Sequence, residues 1–145
     1  MKILKVIFMK KILLILITVL LLTGCNKLSN LPNKPIIFKT GEFTFNEEDS
    51  YQTIIYNDKE YILYGSIKGK GIFKNFSYAF GDCLGYVDND KNDRIYLLKG
   101  ETDDIWLIKY YVNGMMEEPM IFREKSSKGT TVPSSVISFN YDYWK

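Results

Sequence analysis

The run "DDIWLIKYYVNG", residues 103–114, constrains the fold most, because apolar side chains occupy both of its alternating sets. Side chains of an extended strand point to opposite faces in turn. Ile105, Leu107 and Tyr111 therefore share one face, and Trp106, Ile108, Tyr110 and Val112 share the other. A strand with one wet face alternates apolar with polar residues, so this one belongs to a sheet covered on both sides, as in a closed barrel or a sandwich. The vocabulary from Ile36 onward is the same: short runs of Ile, Phe, Tyr, Val and Thr split by Asn, Asp, Gly and Lys.

The clearest hairpin is "YQTIIYNDKEYILYG", residues 51–65, where Asn57-Asp58-Lys59 interrupts two β-rich runs and Asn57 or Asp58 can take the left-handed backbone of a tight turn. A second pair lies in residues 83–100, the turn "KGETDD" leads into residues 103–114, and "PMIFRE", residues 119–124, reads as a last strand. The stretch "GIFKNFSYAF", residues 71–80, leaves room for a short helix. The expectation is an all-β or mostly β domain over residues 36–145, a single small antiparallel sandwich or barrel of about 7–9 strands, after an N-terminal signal helix.

That signal is read from residues 12–22, "ILLILITVLLL", which follow Lys10 and Lys11 and precede small residues. A basic start, an apolar middle and a small-residue end is the order of a secretory signal. The eleven residues of this run make about 16 Å of helix, whereas a bilayer core needs roughly 30 Å. The run is too short for a comfortable span. Translation from Met1 or from Met9 is compatible with this reading, Met9 giving the more compact signal.

At the end of the run "LTGC", formed by Leu22, Thr23, Gly24 and Cys25, resembles the lipobox of bacterial lipoproteins. The resemblance implies that the Cys25 thiol receives a diacylglyceryl group and that the peptide bond before it is cut. It divides the chain into a signal peptide (1–24), a polar tether (25–35) containing Pro32 and Pro35, and the β-rich domain (36–145). The expected partner is a membrane held through the lipid, and the expected place is the outer, extracytoplasmic face of the cell membrane.

Four of the 19 basic residues and none of the 17 acidic ones lie in residues 1–24, so the remainder carries 15 against 17, a net charge of about −2. The basic balance belongs to the signal. Nucleic-acid binding, which wants a concentrated basic face, is not expected. With Cys25 acylated, Cys83 is the remaining thiol, and the chain has no histidine to activate it. The absence of histidine also removes Ser-His-Asp catalysis and imidazole metal sites.

Other candidate chemistry is thin. "GSIKGKG", residues 65–71, lacks the order of a phosphate-cradling loop and reads as a turn. Asp88, Asp90 and Asn92 alternate as oxygen ligands do in calcium loops, but Asp93 and Lys99 stand where an EF-hand wants glycine and glutamate. A hairpin turn explains the same letters. The pairs Glu47-Glu48, Asp103-Asp104 and Glu117-Glu118 are adjacent, and adjacent strand residues face opposite ways, so no pair by itself makes a glycosidase dyad. No enzyme activity and no cofactor are expected.

The positive signal is aromatic: 11 Tyr, 9 Phe and 2 Trp in 145 residues. Most belong to a core, but Tyr143 and Trp144 in the terminal "YDYWK" either dock back onto the domain or meet a partner. Met115 and Met116 beside a turn suit gap filling. Residues 81–124 together with "YDYWK" resemble uncharacterised small lipoproteins of low-GC Gram-positive bacteria, which implies a cell-surface lipoprotein and transfers no activity. The functional expectation is a membrane-anchored binding or interaction module engaging a protein or envelope component. The alternative is a protective inhibitor or immunity-type lipoprotein against a secreted hydrolase or toxin.

Overall fold

The structure, a computed structural model, describes residues 9–12, 28–102, 104–114 and 117–145. Among the described residues nine strands form one sheet: β1 Ile36–Phe38, β2 Thr40–Thr44, β3 Ser50–Tyr56, β4 Lys59–Ile67, β5 Phe80–Val87, β6 Asp90–Leu98, β7 Trp106–Tyr111, β8 Met120–Glu124 and β9 Val136–Ser138. The mostly β fold expected from the alternation is the one found. Residues 9–12 are helical, and no helix among the described residues is long and apolar enough to cross a membrane.

Two meanders build the sheet. In the first, β2, β3 and β4 pair antiparallel in turn, with Tyr56 opposite Lys59 across the turn. Asn57 and Asp58 take φ of 50° and 59°, the left-handed pair that matches a two-residue loop to the strand twist. In the second, β5 to β8 pair antiparallel in sequence, and Asp88 (φ 51°) begins the tight β5–β6 turn. The meanders join where β8 pairs with β4, giving the order β1-β5-β6-β7-β8-β4-β3-β2.

The two ends of this order belong to one piece of chain. β1 pairs parallel with β5 and β2 pairs antiparallel with β3, with Lys39 alone between β1 and β2. One nine-residue segment thus bridges the two meanders across the open side, and the sheet must curl. The curl is visible in Phe38 of β1, whose ring lies 5.6 Å from that of Tyr56 in β3.

Each face of the sheet carries its own core. Phe38, Ile54, Tyr61, Val87, Ile95, Leu107 and Phe122, one residue from each of seven strands, form a buried cluster on the face toward which the sheet curls. Strands at opposite ends of the order can meet only there. Tyr64, Ile67, Phe80, Cys83, Tyr96, Leu98, Trp106, Ile108 and Ile121 form the second cluster on the other face. Leu28, Leu31, Phe76, Val136 and Trp144, all outside the central strands, cover it. Along β7 the split falls where alternation puts it, with Leu107 in one cluster and Trp106, Ile108 and Tyr110 in the other. Ile105 packs with the Trp106 set instead of with Leu107, because it precedes the first extended residue of β7.

Two segments depart from the sequence reading. Residues 71–80 contain no α-helix: Lys70 and Asn75 bridge across a four-residue loop, and only Ser77–Ala79 makes a 3-10 turn. The expected tether is described from Leu28, and from there it lies on the domain. Ser29 Oγ accepts the Cys83 N–H at 2.8 Å and donates to the Gly81 carbonyl at 3.3 Å, which supplies the half of β5 that β1 does not reach.

Glycine makes the short outer strands possible. A Cβ on Gly85 would stand 1.9 Å from the Ile36 carbonyl oxygen of β1, and one on Gly65 would stand 1.8 Å from the Ile137 oxygen of β9. Backbone cannot yield as a flexible side chain does. Gly85→Ala is therefore expected to lift β1 and cost about 2–3 kcal/mol. Urea unfolding of the variant checks this, and an unchanged midpoint would show that β1 does not seat on Gly85.

Candidate functional site

Arg123 of β8 is 3% exposed, an unusual place for a cation. It shares the face of Ile121, and its guanidinium carbon lies 5.0 Å from the Trp106 ring, 5.1 Å from Trp144 and 5.3 Å from Tyr64. No carboxylate among the described residues forms an ion pair with it. Nε donates to Ser127 Oγ at 3.1 Å, and Nη2 donates to the Ser127 carbonyl at 2.8 Å and the Thr130 carbonyl at 2.9 Å. Burial lowers the guanidinium from its usual value, with Tyr64 opposing the shift, but an arginine stays charged. Ring faces and carbonyl dipoles together solvate the cation.

This cage fastens the C-terminal segment. Trp144 forms one wall, and its Nε1 donates to the Leu63 carbonyl at 3.0 Å. Tyr143 sits edge-on to Trp144 at 4.8 Å, to Phe43 at 5.1 Å and to Phe45 at 5.5 Å. Its hydroxyl donates to the Lys125 carbonyl at 3.2 Å, and Lys128 Nζ donates to the Tyr143 carbonyl at 2.6 Å. Upstream, Tyr141 lies 4.9 Å from Tyr51 and 5.7 Å from Phe139. The segment "YDYWK" docks on the domain, with both Tyr143 and Trp144 half-buried.

Docking builds a surface. Phe45 and Phe139 are each 44% exposed, beside the half-buried Phe43, Tyr141 and Tyr143. A shallow hollow of about 380 Å³ opens next to them, and Glu48, Asp49 and Asp142 give its lining a negative rim around Tyr51 and Tyr141. Lys125 stands on the other side, 2.8 Å from Glu60 and 4.3 Å above the Phe43 ring. Rigid aromatics with a polar rim are what a binding surface needs.

The other sequence candidates are placed as follows. Leu22, Thr23, Gly24 and Cys25 lie outside the described residues, as do Met115 and Met116. Asp88, Asp90 and Asn92 belong to the β5–β6 hairpin. Asp90 Oδ1 accepts the Asn92 N–H at 2.9 Å, and Asn92 Oδ1 accepts from Asn113 Nδ2 at 2.9 Å, so these oxygens hold the turn. Among the described residues no three of His, Cys, Asp and Glu converge as metal ligands would. Cys83 is buried, its thiol 3.7 Å from the Gly85 carbonyl. Burial pushes that thiol up, which keeps it protonated and unreactive. The Tyr96 hydroxyl is buried beside Cys83 and Arg94 without a well-formed hydrogen bond.

Sequence reading missed Arg123 and the meeting of Phe43, Phe45 and Phe139 with the C-terminus. The signal for Arg123 was present: in "MIFRE" it falls on the same alternating set as Ile121, so a two-sided strand puts it inside. The chain matches no protein-family model, no curated protein and no solved structure.

Arg123→Lys keeps the charge but loses the fork that reaches Ser127 and Thr130 together, and is expected to cost about 2 kcal/mol. Both tryptophans face Arg123, so their emission during urea unfolding reports the change directly. Equal stability would remove the cage from its place in the fold.

Alkaline pH tests the buried acids. Burial raises Cys83 from its ordinary 9.0 and Tyr61 and Tyr96 from 10.0, so the folded chain holds protons that the unfolded chain releases. Stability is thus full below about pH 9 and falls as pH rises beyond it. Urea midpoints measured from neutrality upward should stay level and then decline. A flat profile across that range would mean these groups are solvated in the fold.

Proposed function

We propose that this protein is a lipid-anchored extracytoplasmic binding module that engages a protein or envelope component through its C-terminal aromatic surface. The observation that carries the reading is the pair of exposed rings, Phe45 and Phe139, fixed beside a shallow acid-rimmed hollow by the docked "YDYWK". The fold does not need their outer faces. Exposed aromatics held rigid lose little conformational entropy when a partner covers them, which is why such residues dominate interface energetics.

The anchor rests on the lipobox resemblance of Leu22, Thr23, Gly24 and Cys25 behind an apolar run. Placement outside the cytoplasm follows from it. A second reading, a protective inhibitor of a secreted hydrolase or toxin, is favoured by one feature: Glu48, Asp49 and Asp142, the last paired with Lys145 at 2.6 Å, leave a net negative rim beside the aromatics. Such a patch suits one basic partner and would protect the cells that display it.

Intact-mass spectrometry of the membrane fraction tests the anchor. A chain beginning at Cys25 and carrying acyl groups, lost in Cys25→Ala, is expected; an unmodified full-length mass would overturn it. For the surface, the double variant Phe45→Ala/Phe139→Ala should cost about 1–3 kcal/mol, the worth of the Phe45–Tyr143 and Phe139–Tyr141 ring contacts, and leave the domain folded. It should also lower affinity for a bound envelope component at least tenfold. Equal binding by the variant and the parent would place the interface elsewhere on the molecule.

A further inference from the structure

Among the described residues the most exposed apolar ones are not on the aromatic surface. Ile72 and Phe73 are each 95% exposed, at the tip of the loop that follows β4. The loop is well formed. Lys70 and Asn75 exchange two backbone hydrogen bonds, at 2.9 and 2.8 Å, and the turn between them closes with Gly71 at φ 74° and Lys74 at φ 47°. Tyr78 braces its base, its hydroxyl donating to the Lys68 carbonyl at 2.6 Å and its ring lying 3.8 Å below Lys70 Nζ. A braced hairpin that holds two large hydrophobes fully in water is shaped for something outside the fold.

Two further observations say what that is. Lys68, Lys70 and Lys74 flank the tip along the chain, all exposed; among the described residues the ion pair they make is Lys74 with Glu118 at 3.6 Å, itself open to solvent. Apolar residues at a tip with amines set behind them match the layering of an anionic bilayer, acyl chains beneath phosphates. The position of the chain's entry agrees. Leu28, the first described residue before the domain, shares a hollow with Lys74, Asn75 and Phe76 at the base of this loop. Cys25 lies three residues before Leu28, at most about 11 Å of chain.

We propose that the Ile72–Phe73 tip inserts into the interfacial layer of an anionic bilayer, with Lys68, Lys70 and Lys74 on the lipid phosphates. It forms a second contact beside the Cys25 anchor and fixes how the domain stands on the membrane. The proposal rests on the lipid-anchored reading for its nearness to the bilayer, and on the loop alone for its geometry. The N-terminal anchor and the tip then share one side of the molecule, and the domain is mounted on the surface.

The full chain is expressed, its acylation read by intact mass, and it is reconstituted in phosphatidylglycerol vesicles. A fluorophore is placed at Phe73→Cys in one preparation and at Lys59→Cys in another; Lys59 is the first residue of β4, about 26 Å along the strand from its end. Cys83 is buried and does not compete for the label. The Phe73→Cys label should shift to the blue and be quenched several-fold by spin-labelled acyl chains, with little quenching at Lys59→Cys. Equal quenching at the two positions overturns the proposal. So does a blue shift that ignores the spin-labelled lipid and grows with protein concentration, which would mark the tip as a contact between copies of the chain. If the mass shows no acyl groups, the anchor reading fails by that readout. The same two labels on a Cys25→Ala chain, added to the same vesicles, then decide the tip by the same comparison.

Discussion

The Arg123 guanidinium is the point on which the outer half of this molecule depends. A buried cation without a carboxylate is costly, because moving a charge out of water loses hydration that a few dipoles must replace. Here the replacement comes from the faces of Tyr64, Trp106 and Trp144 and from the carbonyls of Ser127 and Thr130. Those groups come from β4, β7, the loop after β8 and the C-terminal segment, so one side chain gathers four stretches of chain. Arginine suits the task where lysine does not, since a planar fork can stack on rings and donate in several directions at once. The aromatic surface is a consequence: with Trp144 held, Tyr143 is placed between Phe43 and Phe45.

A second constraint is size. A chain this short has limited interior, and Cys83 is a free thiol, so apolar burial must come from packing alone. The fold meets this by using both faces of the five strands β4 to β8. One face closes on itself because the β1–β2 segment bridges the two meanders, and the other is roofed by Leu28, Leu31, the loop after β4 and Trp144. Gly85 and Gly65 let the short strands β1 and β9 approach backbone to backbone. These close approaches are what a side chain of any size would prevent.

How much of this was legible follows from the range of each interaction. The β3–β4 and β5–β6 hairpins and the two-sided character of β7 are local, written in period-two alternation and in Asn57, Asp58 and Asp88, which accept positive φ. The bridging of β1 and β2 is not local. Ile36 pairs with Gly85 and Thr40 with Ile54, and no short window of sequence contains both partners. Three-residue strands such as β9 carry too few side chains to show a period at all. The loop at residues 71–80 misleads for a different reason: its aromatic spacing allows a helix, while Gly71 and the Lys70–Asn75 bridge enforce a turn. At the candidate site the aromatic excess was plain in the composition, but which rings meet is decided by where Trp144 docks, eighty-one residues from the Leu63 carbonyl that receives it.

The same reasoning changes what residues 28–35 do. A polar stretch containing Pro32 and Pro35 reads as a flexible spacer, and a flexible spacer lets a domain turn freely above its attachment point. Leu28 and Leu31 instead pack on the outer cluster, and Ser29 takes the place of a strand partner along β5 through Gly81 and Cys83. Every residue so docked is removed from the spacer. On the anchored reading, the orientation of the domain is set by how the packed segment meets the sheet. Charge then has a direction as well: Lys74 shares a hollow with Leu28, while Glu48, Asp49 and Asp142 line the aromatic hollow. A net charge near zero conceals this separation, since it sums over surfaces that face different surroundings. The aromatic surface and the Ile72–Phe73 loop are thus separate features of the surface, one beside an acid-lined hollow and the other carrying Lys70 and Lys74.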